Sequence, residues 1–225
     1  MTDLLDVFVP GMPASFATSG ERAWKDAITV QLRGTSPDAR GRYLSLDFSV
    51  APTIGYPAGP DLDNLCEPDF SVVVNRLGWF SGSRPKVQGF RARKRVATPT
   101  GCRVRITEEP FASMSMVGDT LLDGAMAGPL PTSARDAAFI RWVLATMVRP
   151  ASAGTSVGVD VRFAGPINLG DIATGRLKNI IDCLQPVLGG RVGAPDDSRV
   201  TVLEATRMAG DVDGAVRVRV VEFAG

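Results

Sequence analysis

The sequence predicts an α+β protein of two repeated domains, each a mixed sheet with two helices, packed together as an intramolecular pseudo-dimer. Three observations predict it. Gly11-Met12-Pro13 and Gly128-Pro129-Leu130-Pro131 are each followed, eleven residues after the last proline, by Trp24 and Trp142, so proline and tryptophan both recur at an offset of 118. Helix-like and strand-like stretches then follow in the same order in both halves. Both halves close on a strand of matching pattern, Cys102-Arg-Val-Arg-Ile106 and Val216-Arg-Val-Arg-Val220. A repeat of this length is domain-sized, and a chain of 225 residues accommodates two domains of about 110 residues each.

Residues 1–109 form the first repeat. An opening strand leads through a loop to a helix over Glu21–Leu32 that carries Trp24. The alternation of Tyr43-Leu-Ser-Leu-Asp-Phe-Ser-Val50 reads as a half-buried strand. The Pro- and Gly-rich stretch Ala51–Pro60 is a loop. It delivers Asp61-Leu62-Asp63-Asn64 to a second helix that ends at Leu77-Gly78, before a basic strand and the closing strand. Residues 110–127, with Pro110, Ser113, Ser115, Gly118 and Gly124, read as a linker, with Met114–Val117 as an alternative first strand of the second repeat. Residues 128–225 repeat the order. They give a helix over Arg135–Met147, a strand over Ser156–Phe163 and a helix ending at Leu188-Gly189. Asp196-Asp197 and two strands complete the half. Strands with antiparallel-style neighbours and interspersed helices make each half α+β.

Composition removes several chemistries. The chain has no histidine, which excludes Ser-His-Asp and Cys-His catalysis and histidine-containing zinc sites. Carboxylates, lysine, hydroxyls or a metal held by oxygen remain. Cys66, Cys102 and Cys183 are odd in number and lack Cys-x-x-Cys spacing, as expected of reduced, buried thiols in a cytoplasmic protein. No apolar run approaches the ~20 residues that span a bilayer. The start Met1-Thr-Asp-Leu-Leu-Asp lacks the basic region of a signal peptide. No membrane partner is expected.

Net charge is +1, but the cations are clustered: Arg84, Lys86, Arg91, Arg93, Lys94 and Arg95 fall within twelve residues without an acid. At spacing two, Arg91, Arg93 and Arg95 share one strand face, and Arg103 and Arg105 repeat the pattern on the next strand. With Arg84 and Lys86 they are the candidate nucleic-acid-backbone-binding residues. Such a face is either simply solvated or phosphate-binding, and the pattern admits both readings.

Two acidic motifs stand out. Asp61 and Asp63, at spacing two beside Asn64, suit Mg²⁺, which takes oxygen ligands. They equally suit the N-terminus of a helix. In the second half, Asp196-Asp197 precedes a strand, and Lys178 and Asp182 lie four apart on one helix face.

This order of elements resembles the RusA family of Holliday junction resolvases. That family has a Gly-x-Pro near the first strand, a Trp-bearing helix and an Asp-x-Asp-Asn-Leu that opens a helix. A Lys follows four residues after the second Asp, an Asp four residues after the Lys, and an Asp-Asp before a strand. The first half keeps Asp61-Leu62-Asp63-Asn64-Leu65 but has Glu67 at the lysine position. The second keeps Lys178, Asp182 and Asp196-Asp197, with Asp171 one place early for the missing motif. The resemblance implies a diverged, fused pseudo-dimer, monomeric as a chain, of small Mg²⁺-dependent endonucleases acting on branched or junction DNA. It implies Asp61, Asp63, Asp171, Asp196 and Asp197 as metal ligands, with Lys178, Asp196 and Asp197 catalytic. Two competing expectations stand beside it. One is a DNA-binding protein that kept the fold and lost catalysis, supported by Glu67 and the missing acids. The other is a protein-interaction module without a nucleic-acid partner.

Overall fold

The computed structural model describes residues 3–35, 40, 42–52, 59–80, 87–110, 116–128, 130–164, 177–208 and 215–223. It is a mixed α+β structure built on one eight-stranded sheet. The main strands are β1 (Asp3–Pro10), β2 (Tyr43–Val50), β3 (Gly89–Val96), β4 (Gly101–Thr107), β5 (Asp119–Ala127), β6 (Val157–Phe163), β9 (Val200–Arg207) and β10 (Ala215–Glu222). Two-residue strands β7 (Gly190–Arg191) and β8 (Ala194–Pro195) make a separate hairpin. The helices are α1 (Glu21–Leu32), α2 (Leu62–Phe70), α3 (Ala137–Thr146) and α4 (Leu177–Cys183), followed by a short turn at Gln185–Leu188.

The strand order is β1-β4-β2-β3-β9-β6-β10-β5. Read inward from each edge, the first half gives its first, fourth, second and third strands, and the second half gives the same. The two innermost strands, β3 and β9, pair antiparallel from Gly89↔Thr206 to Arg93↔Val202. This seam joins the halves. β2–β3 and β6–β9 are parallel, and the remaining pairs of the main sheet are antiparallel. The halves are therefore not two domains in contact. They share a single sheet and one hydrophobic cluster that runs from Trp24, Leu46 and Val104 to Val159, Leu203 and Val218.

Alternation sorts the strands by face. Leu44, Leu46, Phe48, Phe90, Ala92, Val104, Val159, Val161 and Val218 are buried under the helices. Asp47, Arg93, Arg103, Arg105, Arg162 and Arg217 lie on the opposite face, where Arg103, Arg162 and Arg217 are exposed and the other three half-buried. α2 contains Pro68 and runs into a π-helical turn at Ser71–Arg76. Pro68 has no N–H for the carbonyl four residues earlier. That carbonyl, of Asn64, instead accepts from the Phe16 N–H at 3.0 Å, tying the loop after β1 to the start of α2. Asp136 caps α3, accepting from the N–H groups of Ala138 and Phe139.

One expected boundary is corrected. Residues 119–127, read as linker, are edge strand β5, paired along its length with β10. The stretch lacks β-branched residues apart from Thr120 and contains Gly124, so local propensity hides it. Gly124 is needed there: a Cβ would stand 2.6 Å from Thr146 Cγ2 and 3.3 Å from Trp142. The three cysteines are buried and free. Among the described residues no helix is long and apolar enough to cross a membrane.

Candidate active site at the seam between the halves

Asp61 occupies the extended position before α2, and Asp63 sits in its first turn. Neither lies near Lys178 in sequence, yet the seam brings the N-termini of α2 and α4 together. Lys178 Nζ stands 2.6 Å from Asp197 Oδ2, 3.3 Å from Asp63 Oδ2 and 3.3 Å from Asp182 Oδ1. Asp197 opens a 3-10 turn ahead of β9. The centre is thus composite, with Asp61 and Asp63 from one half and Lys178, Asp182 and Asp197 from the other.

Its electrostatics are those of crowded acids in a confined space. Burial, then Asp197 and Asp63, raise the Asp61 carboxyl to about 6 against the pull of Lys178 and a 3.0 Å hydrogen bond from Asn64. Asp63 is raised too, by burial first, with Lys178 opposing. The same causes raise Asp182. Burial works against the Lys178 charge, but Asp63, Asp197 and Asp182 outweigh it and push its pKa up, so it is a permanent cation.

Lys94 is the member sequence reasoning missed. It lies between Arg93 and Arg95 and therefore points to the helix face, where it is 3% exposed. Its ammonium donates to the carbonyl of Pro60 at 3.0 Å and to that of Ser198, the neighbours of Asp61 and Asp197. It links the acidic segments of both halves. Burial lowers it to about 8, with Asp61, Asp197, Asp63 and Asp196 resisting. The signal was present in the sequence: alternation puts a lysine in a register of core residues (Phe90, Ala92).

The other candidates separate. Asp196 is exposed and accepts from the Ser198 hydroxyl at 3.0 Å. It is not among the acids paired with Lys178. Asp171, Arg84 and Lys86 lie outside the described residues. The arginines at spacing two do share one face, but it is the face opposite the acidic centre, and acids on neighbouring strands meet them. Arg91 pairs with Glu204 at 2.6 Å, Arg105 with Asp47 at 2.8 Å, and Arg103 with both oxygens of Asp6 at 2.6 Å. Trp24 and Trp79 are core residues.

Among the described residues no group of three or more acidic or thiol side chains is placed to hold a metal ion as it stands; the Lys178 ammonium lies between the carboxylates. The donor chemistry nevertheless fits a hard divalent cation. All donors are oxygens, the acids are mutually repelling, and buried Asp63 Oδ2 meets the Lys178 ammonium at 3.3 Å without a well-aligned hydrogen bond.

No family model and no curated protein matches the chain. A solved structure described as "Cyanuric acid hydrolase: evolutionary innovation by structural concatenation" is similar over 97% of this chain and 67% of its own, at 11% identity and a TM-score of 0.26. A likeness of that size carries no argument about fold or function.

Proposed function

We propose that the chain is a Mg²⁺-dependent, structure-selective DNA endonuclease with a single composite catalytic centre. The observation that carries the reading is the convergence of Asp61 and Asp63 with Lys178, Asp182 and Asp197 from separate halves. These are the residue types that the resemblance to the RusA family singles out, and neither half has the set alone. Asp61, Asp63 and Asp197 would hold the ion. When bound, Mg²⁺ would activate a water and neutralise charge on the phosphate. Lys178, held protonated by its three carboxylates, would bind a phosphoryl or leaving oxygen and would not serve as a base. Lys94 would keep the segments of Asp61 and Asp197 in register. The two-fold arrangement of strands suits branched DNA of approximate two-fold symmetry. A single centre would nick, leaving the second strand intact.

A second reading is a catalytically inactive DNA-binding protein on the same fold. One observation favours it: Lys178 already saturates the acids with three ion pairs. A nuclease assay on four-way junction, forked and duplex DNA, with Mg²⁺ and with EDTA, decides between them. The endonuclease reading expects metal-dependent nicking of branched DNA. Asp197→Asn and Asp63→Asn should each abolish it while DNA binding persists. Retained nicking in Asp63→Asn would mean a site confined to the second half. No metal-dependent cleavage of any substrate by the wild type would leave the binding reading in its place.

A further inference from the structure

The alternation of β3 divides three consecutive residues between two places. Lys94 enters the acidic centre. Arg93 and Arg95 line a cleft of about 380 Å³, which Lys94 also borders and which is walled besides by Asp47, Ser156, Thr201 and Phe223. Thr201 is set apart by a bulge. Val200 pairs with Val157 and Val202 with Gly158, so Thr201 has no partner in that register. Bulges re-aim side chains in this way beside binding sites. Arg93 and Arg95 bring two guanidinium groups to the cleft wall, against the one carboxylate of Asp47. Burial, with Arg91 and Arg105 close by, lowers the Arg93 pKa although Asp47 and Glu204 act against it. Arg95 is exposed and makes no ion pair among the described residues.

We infer that this cleft is a phosphate-binding site. Arg93 and Arg95 supply charge-assisted donors matched to phosphate oxygens, Ser156 and Thr201 supply hydroxyl donors, and Phe223 offers an apolar wall to a sugar or base. The phosphate belongs either to a free ligand (inorganic phosphate or a mononucleotide) or to the backbone of a nucleic acid. The site does not depend on the endonuclease reading, because Asp61, Asp63, Lys178, Asp182 and Asp197 are not among its walls; Lys94 borders both places. If that reading also holds, a bound strand reaches both faces of the seam around the tip of β3.

Calorimetric titration at fixed ionic strength tests this with three ligands: inorganic phosphate, a 5′-deoxynucleoside monophosphate and a single-stranded oligonucleotide. Saturation by either small ligand assigns the site to a free phosphate compound. Saturation by the oligonucleotide alone assigns it to a nucleic-acid backbone. Arg95→Glu should weaken whichever binding occurs by roughly tenfold or more, the scale of one lost charged hydrogen bond. Thr201→Val should weaken it less, and Arg33→Glu, an exposed charge-matched control, should leave it unchanged. Circular dichroism of each variant confirms folding. The inference is overturned if none of the three ligands saturates, or if Arg33→Glu weakens binding as much as Arg95→Glu. Intact phosphate binding in a protein that never cleaves DNA would sink the endonuclease reading alone.

Discussion

The acidic centre and the equivalent place in the other half occupy matching positions in the sheet but place opposite charges at one of them, Lys178 against Glu67. Counting back from Leu77-Gly78 and Leu188-Gly189, an offset of 111, Lys178 corresponds to Glu67 and Asp182 to Ser71. The same offset puts Ala205 where Lys94 stands. Lys178 faces three carboxylates, whereas Glu67 turns to Lys25 at 3.6 Å, which also holds Glu21 at 2.5 Å. One place gathers two lysines and four acids from both halves. The other has become an ordinary ion pair between α1 and α2. The core diverges in step. In the first half Trp24 Nε1 donates to buried Asp69 at 2.9 Å; the corresponding second-half position is Ile180, buried and apolar. A single chain allows this, because a substitution in a symmetric homodimer appears twice while in one chain it appears once.

Converting one place into the other gives the largest expected effect. Lys178→Glu should lower any cleavage by about a hundredfold or more, since the cation proposed to meet the phosphate is lost. It should also cost about 3 kcal/mol of stability by leaving acids without a counter-charge. Cleavage kinetics and urea denaturation measure both, and unchanged stability would mean that the cluster is solvated.

Asp69 sharpens the core comparison. Burial, first, raises its carboxyl to about 7, against the Trp24 hydrogen bond. Its folded pKa lies above its unfolded value. Stability is therefore undiminished below about pH 4 and is lost as pH rises towards 7, by about 4 kcal/mol at most. Asp69→Asn keeps an acceptor for Trp24 and should flatten this part of the stability curve. An identical slope in the variant would show that Asp69 ionises as freely when folded as when unfolded.

Lys94→Ala copies the counterpart residue Ala205. It strands the carbonyls of Pro60 and Ser198 and should cost about 2 kcal/mol, read from the shift of the urea midpoint. A smaller loss than that of an exposed lysine control would remove its role as a link between halves. The smallest effect belongs to the reverse exchange. Glu67→Lys sets two lysines side by side and should cost about 0.5–1 kcal/mol. It should not create a second cleavage event, because Lys94, Asp182 and their contacts have no equivalent there. Double-strand cleavage by the variant would contradict that.

Local pattern carried much of this architecture. Glu21–Leu32 and Tyr43–Val50 were legible end to end as a helix and a strand, because each buries one face at its own period. β5 was not, since an edge strand of small residues gains its order from β10 and not from its own propensity. The arginine face was legible from spacing two, but the acids Asp6, Asp47 and Glu204 that meet it come from partner strands. Non-local pairing cannot be read from spacing. The same holds for the acidic centre. Asp61, Asp63, Lys178 and Asp197 were each visible in the sequence, whereas their meeting depends on the pairing of β3 with β9.

That pairing has a parity. Adjacent side chains of β3 leave on opposite faces, and five residue pairs from Gly89↔Thr206 to Arg93↔Val202 fix which is which. A slip of one residue would turn Lys94 out to solvent and drive Arg93 and Arg95 beneath the helices. Such an error would leave the backbone ladder almost as complete as before, so hydrogen bonding alone selects weakly against it. Charge supplies the discrimination. A misaligned chain would bury guanidinium groups among Phe48, Leu65 and Phe70 and abandon the acids at α2 without their ammonium. The same alternation that separates two chemistries on a single strand thus proofreads the joining of the halves during folding.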